Sequence, residues 1–267
     1  MTVAAEEAIS ARLKLARLAA KQAGRLVMGH FDQNVAVERK SDNSPVTIAD
    51  REAEQLIRRL IGEAFPEDGV LGEEFGEQPG SSGFRWILDP IDGTKSFIAG
   101  APLFGTMIGV EFEGQCIIGV VEFPALNERI YAARGQHAWW QIGERREVKT
   151  RVSTVDRLAD GLYVTSEVGS FAERGAIAVH ERLETSSWYS RTWGDCYGYY
   201  LLVTGRAVVM LDPVVSLWDT AALYPILKEA GATVTDWKGN DSYTAGELLA
   251  TNRAVFDEVL AIITDAS

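Results

Sequence analysis

The sequence predicts a mixed α+β and α/β fold in two parts, and three patterns predict it. Residues 6–30 repeat Ile9, Leu13, Leu15, Ala16, Leu18, Ala19 and Val27 at spacings of three and four, the period of an amphipathic helix. Residues 104–133 are apolar and β-rich, with Gly or Pro at hairpin spacing, which reads as an antiparallel meander. In the last part of the chain strands and helices alternate, the pattern of an α/β unit. Residues 1–150 and 151–267 form the two expected parts, meeting near 145–155. There is no internal repeat and no low-complexity segment.

After the first helix, SDNSP is a loop by its turn residues. Thr47 or Asp50 can cap a second helix carrying Ala53, Leu56, Ile57, Leu60 and Ile61, which Pro66 and Gly69 close. GVLGEEFG reads as a short strand ending in acids, QPGSSG as a polar loop, and RWILDP as a strand. TMIGVEFEG, QCIIGVVEFP and ERIYAARG supply the meander. In the second part DGLYVTSE is a strand, FAERGAIAVHERLE a helix, and SSWYSRTWG a strand and turn. DCYGYYLLVTGRA is a helix, AVVMLDP a strand, and SLWDTAALYPILKEAGATVTDW a helix followed by a strand.

Composition excludes several functions. Lys and Arg number 26 against 38 Asp and Glu, a net charge of -12. Such a chain is a poor match for nucleic acid, which needs clustered cations to neutralise phosphates. MTVAAEEAIS lacks the basic and apolar regions of a signal peptide, and the longest apolar runs fall short of a membrane span. The expectation is a cytoplasmic protein without a membrane partner. Cys116 and Cys196 are far apart and outside any CxxC pattern, which argues against a disulfide framework or a zinc site. His30, His137 and His180 lie near no motif and read as surface residues rather than catalytic bases.

The segment WILDPIDGTKSF, residues 86–97, drives an apolar strand into Asp89 and Asp92. Two carboxylates a few ångströms apart repel and raise each other's pKa unless a cation lies between them. Magnesium, a hard ion bound by carboxylates, water and phosphate oxygen, resolves the conflict. Ile91 can offer a carbonyl, and Gly93 and Thr94 offer backbone N–H groups and a hydroxyl. Taken alone, each segment has a plainer reading. DPxDG is a common surface turn, Glu73 a solvated acid, and Asp219 in SLWDTAA a helix N-cap.

Together, GEE at 72–74, DPIDGT at 89–94 and WD at 218–219 resemble the inositol monophosphatase superfamily, over nearly the whole chain. The resemblance implies a layered α-β-α-β-α sandwich, lithium-sensitive magnesium-dependent phosphatase activity and a homodimer. It implies two to three ions. Glu73, Asp89 and the Ile91 carbonyl would hold one; Asp89, Asp92 and Asp219 a second; a third, weaker ion would lie near Glu73. Thr94, supported through Asp50, would activate the attacking water. Gly93 and Thr94 would contact the phosphate, and Lys40 would lie in a mobile loop closing over the metals.

Two stretches bear on the small phosphorylated substrate. Lys95-Ser96 stands where inositol enzymes carry Thr-Asn, and Arg191, Gly194 and Asp195 match the histidinol-phosphate phosphatase branch. Histidinol phosphate is cationic, and Asp195 or Glu122 could supply the complementary acid, with Trp193, Tyr197 and Tyr199 lining an imidazole site. Arg191 would contact phosphate or fix a carboxylate. The alternatives are an inositol-1-phosphate or broad sugar-phosphate phosphatase, a 3′(2′),5′-bisphosphate nucleotidase, and a non-catalytic binding protein on this fold. Trp139, Trp140 and Trp188 read as packing or subunit contact. Glu73→Gln and Asp92→Asn should each abolish phosphate release while circular dichroism shows the fold retained; turnover in either would refute the metal assignment.

Overall fold

A computed structural model of the chain describes residues 3–33, 35–40, 44–144 and 146–266. The long helix α1 (Val3–His30) lies beside α2 (Ile48–Ala64). Thr47 is the N-cap of α2, and Asp50 closes a capping box by accepting the Thr47 N–H at 2.7 Å. The two candidate caps therefore act together. A short hairpin of β1 (Val37–Arg39) and β2 (Pro45–Thr47) joins the helices.

The first large sheet contains β3 (Gly69–Gly72), β4 (Gly76–Gln78), β5 (Phe84–Asp92), β6 (Gly105–Phe112), β7 (Gln115–Phe123), β8 (Glu128–Ala133), β9 (Ala138–Ile142) and β10 (Arg146–Lys149). Its strand order is β10-β9-β8-β7-β6-β5-β3-β4. The meander is antiparallel, but β3 runs parallel to β5, so the N-terminal sheet is mixed rather than wholly antiparallel. The five-residue helix α3 (Thr94–Ile98) links β5 to β6.

The second sheet follows a 3-10 turn at Leu158–Asp160. It contains β11 (Leu162–Val164), β12 (Tyr189–Arg191), β13 (Val209–Asp212), β14 (Thr233–Thr235) and β15 (Leu248–Thr251), in the order β12-β11-β13-β15-β14. The first three strands are parallel and the last two antiparallel. Between β11 and β12, the expected single helix is two, α4 (Val168–Glu173) and α5 (Ile177–Ser186), because Gly175 turns left-handed at φ 74°. The helix expected after MLDP is likewise two, α7 (Leu217–Ala221) and α8 (Leu223–Glu229). Helix α6 (Asp195–Val203) precedes β13, and α9 (Phe256–Ala266) closes the described chain. Sequence reading stopped short of β15 and α9. None of the described helices is long and apolar enough to cross a membrane.

These elements stack as five layers, α-β-α-β-α. The first core lies between α1, α2 and the large sheet, and takes Ile118 and Val120 from β7. The second lies between the two sheets, around α6 and α8, and takes Val121 and Phe123 from the same strand. The third joins the far face of the second sheet to α4, α5 and α9. Sheets covered on both faces require apolar residues at both parities, which explains the nearly continuous runs in the sequence. His180 belongs to this third core. It is buried, with its Nδ1 3.1 Å from the Tyr163 hydroxyl, and is not a surface residue as its isolation from the motifs implied.

Two glycines seat the α7–α8 junction. Gly109 and Gly119 are direct cross-strand partners on β6 and β7. A Cβ on Gly119 would overlap the Ala222 carbonyl, and one on Gly109 would lie 3.0 Å from the Ala221 backbone. The helix backbone thus presses directly onto the sheet, two residues beyond Asp219. Gly119→Ala should cost about 1–3 kcal/mol in urea unfolding through overpacking, and Gly109→Ala less. Wild-type stability in Gly119→Ala would contradict this packing.

Candidate active site

Residues three apart on a regular strand face opposite sides, yet the carboxylates of Asp89 and Asp92 converge. The cause is a break in register. Asp89 pairs with Met107 and Asp92 with Gly105, so β5 bulges across Pro90 and Ile91. Thr106 holds the bulge by donating its hydroxyl to the Pro90 carbonyl at 2.9 Å. Gly93 then turns left-handed at φ 83° and Thr94 opens α3, donating its hydroxyl to the Ile91 carbonyl at 3.0 Å. Asp219 arrives on α7. It is the third residue of a capping box whose N-cap is Ser216, and its Oδ2 accepts the Ser216 N–H at 2.7 Å. One carboxylate oxygen from each of Asp89, Asp92 and Asp219 lies within 4.8 Å of the others.

Glu73 lines the same cavity, of about 360 Å³, but its carboxylate is held by Lys40 at 2.7 Å. Lys40 also pairs with Glu74 at 2.5 Å. Residues 41–43 of the expected mobile loop lie outside the described residues. The turn bearing Glu73 is built by fully buried Glu54, which accepts the Glu74 N–H at 2.8 Å and the Arg58 Nε at 2.7 Å. A side chain on Gly72 would overlap the Glu54 carboxylate.

The electrostatics call for a cation. Burial raises the Asp89 carboxyl well above its ordinary range, and Glu73, Asp92 and Asp219 raise it further. Burial, then Asp195 and Asp219, do the same to Asp92. Asp219 is pushed up to about 7 by burial, with the Ser216 N–H opposing and Glu73 adding. Asp89 Oδ1 is buried and has no hydrogen-bond partner among the described residues. An orphaned buried carboxylate oxygen beside two more carboxylates is an all-oxygen donor set that fits magnesium.

The facing wall comes from the second sheet. Asp212, at the end of β13, accepts the Ser166 N–H and hydroxyl, both at 2.9 Å, and the Tyr199 hydroxyl at 3.0 Å. Ser166 in turn accepts the Asp195 N–H at 2.7 Å. Asp195 begins α6 with φ 51°, a left-handed conformation that costs a non-glycine residue energy. The next N–H, of Cys196, donates to Asp92 Oδ2 at 2.5 Å and ties this wall to the acid trio. Burial, with Asp212 adding, pushes the Asp195 carboxyl up to about 6.

The cavity takes in some of the expected site residues and leaves others out. Asp50 closes the cap of α2, accepting the Thr47 N–H and hydroxyl on Oδ2, both at 2.7 Å, while the Thr94 hydroxyl donates to the Ile91 carbonyl. Arg191 is exposed, donates to the Ser190 carbonyl and lies over Tyr189 and Trp193 at 5.8 and 5.7 Å, outside the cavity lining. Among the described residues it pairs with no carboxylate, the acid cluster included. Gly194 is the N-cap of α6 and packs on the Ser166 backbone, where a Cβ would overlap. Glu122 is consumed by a buried pair with Arg129 at 2.5 Å. Of the three aromatics only Tyr199 lines the cavity; Tyr197 stacks on Tyr200 and Trp193 is exposed. Asp212, Ser166 and Glu167 line the cavity and were missed. The repeated strand ending, ILDP at 87–90 and MLDP at 210–213, was the available signal for Asp212.

A family model described as the inositol monophosphatase family matches residues 9–266. The chain is 41% identical to a histidinol-phosphatase of Chlorobaculum parvum, over 94% of this chain and 96% of that protein. It is 37% identical to a histidinol-phosphatase of Mycobacterium tuberculosis, over 93% and 96%. A solved IMPase structure from Thermotoga maritima superposes with a TM-score of 0.86 at 30% identity, covering 96% of this chain and 97% of that one.

A carboxyl whose pKa is raised on folding binds protons more tightly in the folded state. Its contribution to stability is largest below the unfolded pKa and is lost as pH rises through the folded value, about 7 for Asp219. Metal must displace those protons. Saturating magnesium should therefore raise the melting temperature more at about pH 8 than at about pH 5, and Asp89→Asn should remove most of the increment. An equal shift at both pH values would contradict the trio as the binding site.

Proposed function

This chain belongs to the inositol monophosphatase family, and on that premise we propose that it is a magnesium-dependent phosphatase whose substrate is L-histidinol phosphate. Phosphoric monoester hydrolysis is the coarser statement, and it stands on the family itself: the chain is a phosphatase. The choice of substrate is supported by Asp195, which lines the cavity beside the acid trio and whose backbone N–H is held by Ser166, itself bonded to Asp212. An anionic wall facing the departing alcohol favours a cationic amino alcohol over an uncharged sugar. The names of the two histidinol-phosphatase relatives agree with this choice.

Asp89, Asp92 and Asp219 are the residues we assign to hold one magnesium ion. Glu73, with Asp89 and the Ile91 carbonyl, is assigned to a second; Glu73 becomes available to an ion at the expense of its bond to Lys40. An ion held there would supply neutralisation of the phosphoryl oxygens, a lowered pKa of water and stabilisation of the leaving oxygen. Gly93 and Thr94 are assigned to the phosphate. Thr94 also orients the attacking water, working from the Ile91 carbonyl rather than from Asp50. No histidine or cysteine is required. His180 and both cysteines are buried, and His30 pairs with Glu52 at 2.9 Å.

Phosphate release with magnesium should favour histidinol phosphate over inositol-1-phosphate and phosphoadenosine phosphate by about a hundredfold in kcat/KM, roughly 2.7 kcal/mol of transition-state binding. Asp195→Asn should erase most of that preference by raising KM for histidinol phosphate. A flat wild-type profile would leave the phosphatase assignment standing and overturn the substrate.

A further inference from the structure

Lys95 and Glu167 meet across the mouth of the cavity. Lys95 is the second residue of α3, directly after Thr94; Glu167 is the residue before α4 on the opposite wall. Their charged atoms are 2.5 Å apart, while their side chains remain 67% and 57% exposed. Both residues line the cavity that holds the acid trio, and both act electrostatically on Asp195. An ion pair this exposed contributes little to stability, because water screens it and two long side chains must be ordered to form it. It is therefore easily exchanged for other partners.

We propose that this pair is a charge clasp that selects the substrate, opening by exchange when a phosphate ester of a cationic alcohol enters. The inference rests on the substrate class proposed above. Such a substrate carries its negative charge at one end and its positive charge at the other. Laid along the cleft with the phosphate at the acid trio and the cation toward the second sheet, it presents the phosphate to Lys95 and the ammonium to Glu167. One protein ion pair is replaced by two pairs with the substrate, and no charge is left alone. An ester with an uncharged alcohol can take Lys95 but offers Glu167 nothing. Glu167 is then an unpaired carboxylate near a phosphate dianion and beside Asp195. Glu167 thereby discriminates in both directions, attracting the cationic ester and penalising the neutral one.

The consequence is a change of sign between substrates. Glu167→Gln keeps the shape and removes the charge. It should lower kcat/KM for histidinol phosphate by about tenfold, mainly through KM, while kcat/KM for glycerol 2-phosphate stays level or rises. Glu167→Asp should recover much of the histidinol-phosphate activity, and Lys95→Met should weaken both substrates. Equal losses on both substrates in Glu167→Gln would mean a merely structural bridge, and unchanged kinetics on both would mean an idle surface pair; either overturns the clasp. A wild-type enzyme without preference for histidinol phosphate would instead overturn the substrate reading. The ratio of the two Glu167→Gln effects judges the clasp in that case too.

Discussion

Carboxylate oxygens from Asp89, Asp92 and Asp219 lie within 4.8 Å of one another, two of the three residues are buried, and one oxygen of Asp89 has no partner among the described residues. Three ionised carboxylates cannot share such a space without a cation, and protonation is the alternative that burial and mutual repulsion favour. Much of the surrounding architecture serves to hold these acids together against that repulsion. The β5 bulge turns Asp89 and Asp92 to one side, Thr106 holds the bulge, and the Gly109–Gly119 pair lets α7 approach closely enough to deliver Asp219.

The chain spends its own cations elsewhere. Lys40 neutralises Glu73 and Glu74 at the edge of the cavity, and Lys95 faces Glu167 at its mouth. Arg12 is committed to Asp68 in a buried pair at 2.7 Å, and Arg129 to Glu122. No Lys or Arg pairs with the trio itself among the described residues, so a bound divalent ion would meet no competing side-chain cation there. The facing wall is organised by Asp212 through Ser166, which holds a strained Asp195 at the cavity. The acid trio and the Asp195 wall thus face each other across the cavity.

Much of this was legible in the sequence, for reasons that differ between elements. The helices α1 and α2 and the strands of the meander announced themselves by period, because one helix stripe and both sheet faces must be apolar. The order GEE, DPIDGT, WD marked the acids that converge, since each sits at the end of a strand or the start of a helix where a side chain can point into a cleft. The split of 168–186 into α4 and α5 was carried by a single glycine and was missed. Arg191 was placed at the site because a motif match in sequence carries no direction; on edge strand β12 its side chain lies over its aromatic neighbours instead.

By period the sequence determined the main helices and strands, and through the resemblance carried by GEE, DPIDGT and WD it pointed to the layered fold, the family and the acids expected to share a cation. Only the tertiary structure decided which further acids face the cavity. Glu122, Asp50 and Asp195 are all acidic in sequence. Arg129 pairs with the first in a buried ion pair, the Thr47 capping box engages one oxygen of the second, and the third, its N–H held by Ser166, lines the cavity. The first outcome is set by the cross-strand pairing of β7 with β8 and the third by the packing of α6 against Ser166 and Asp212, whereas the second is a cap closed within four residues.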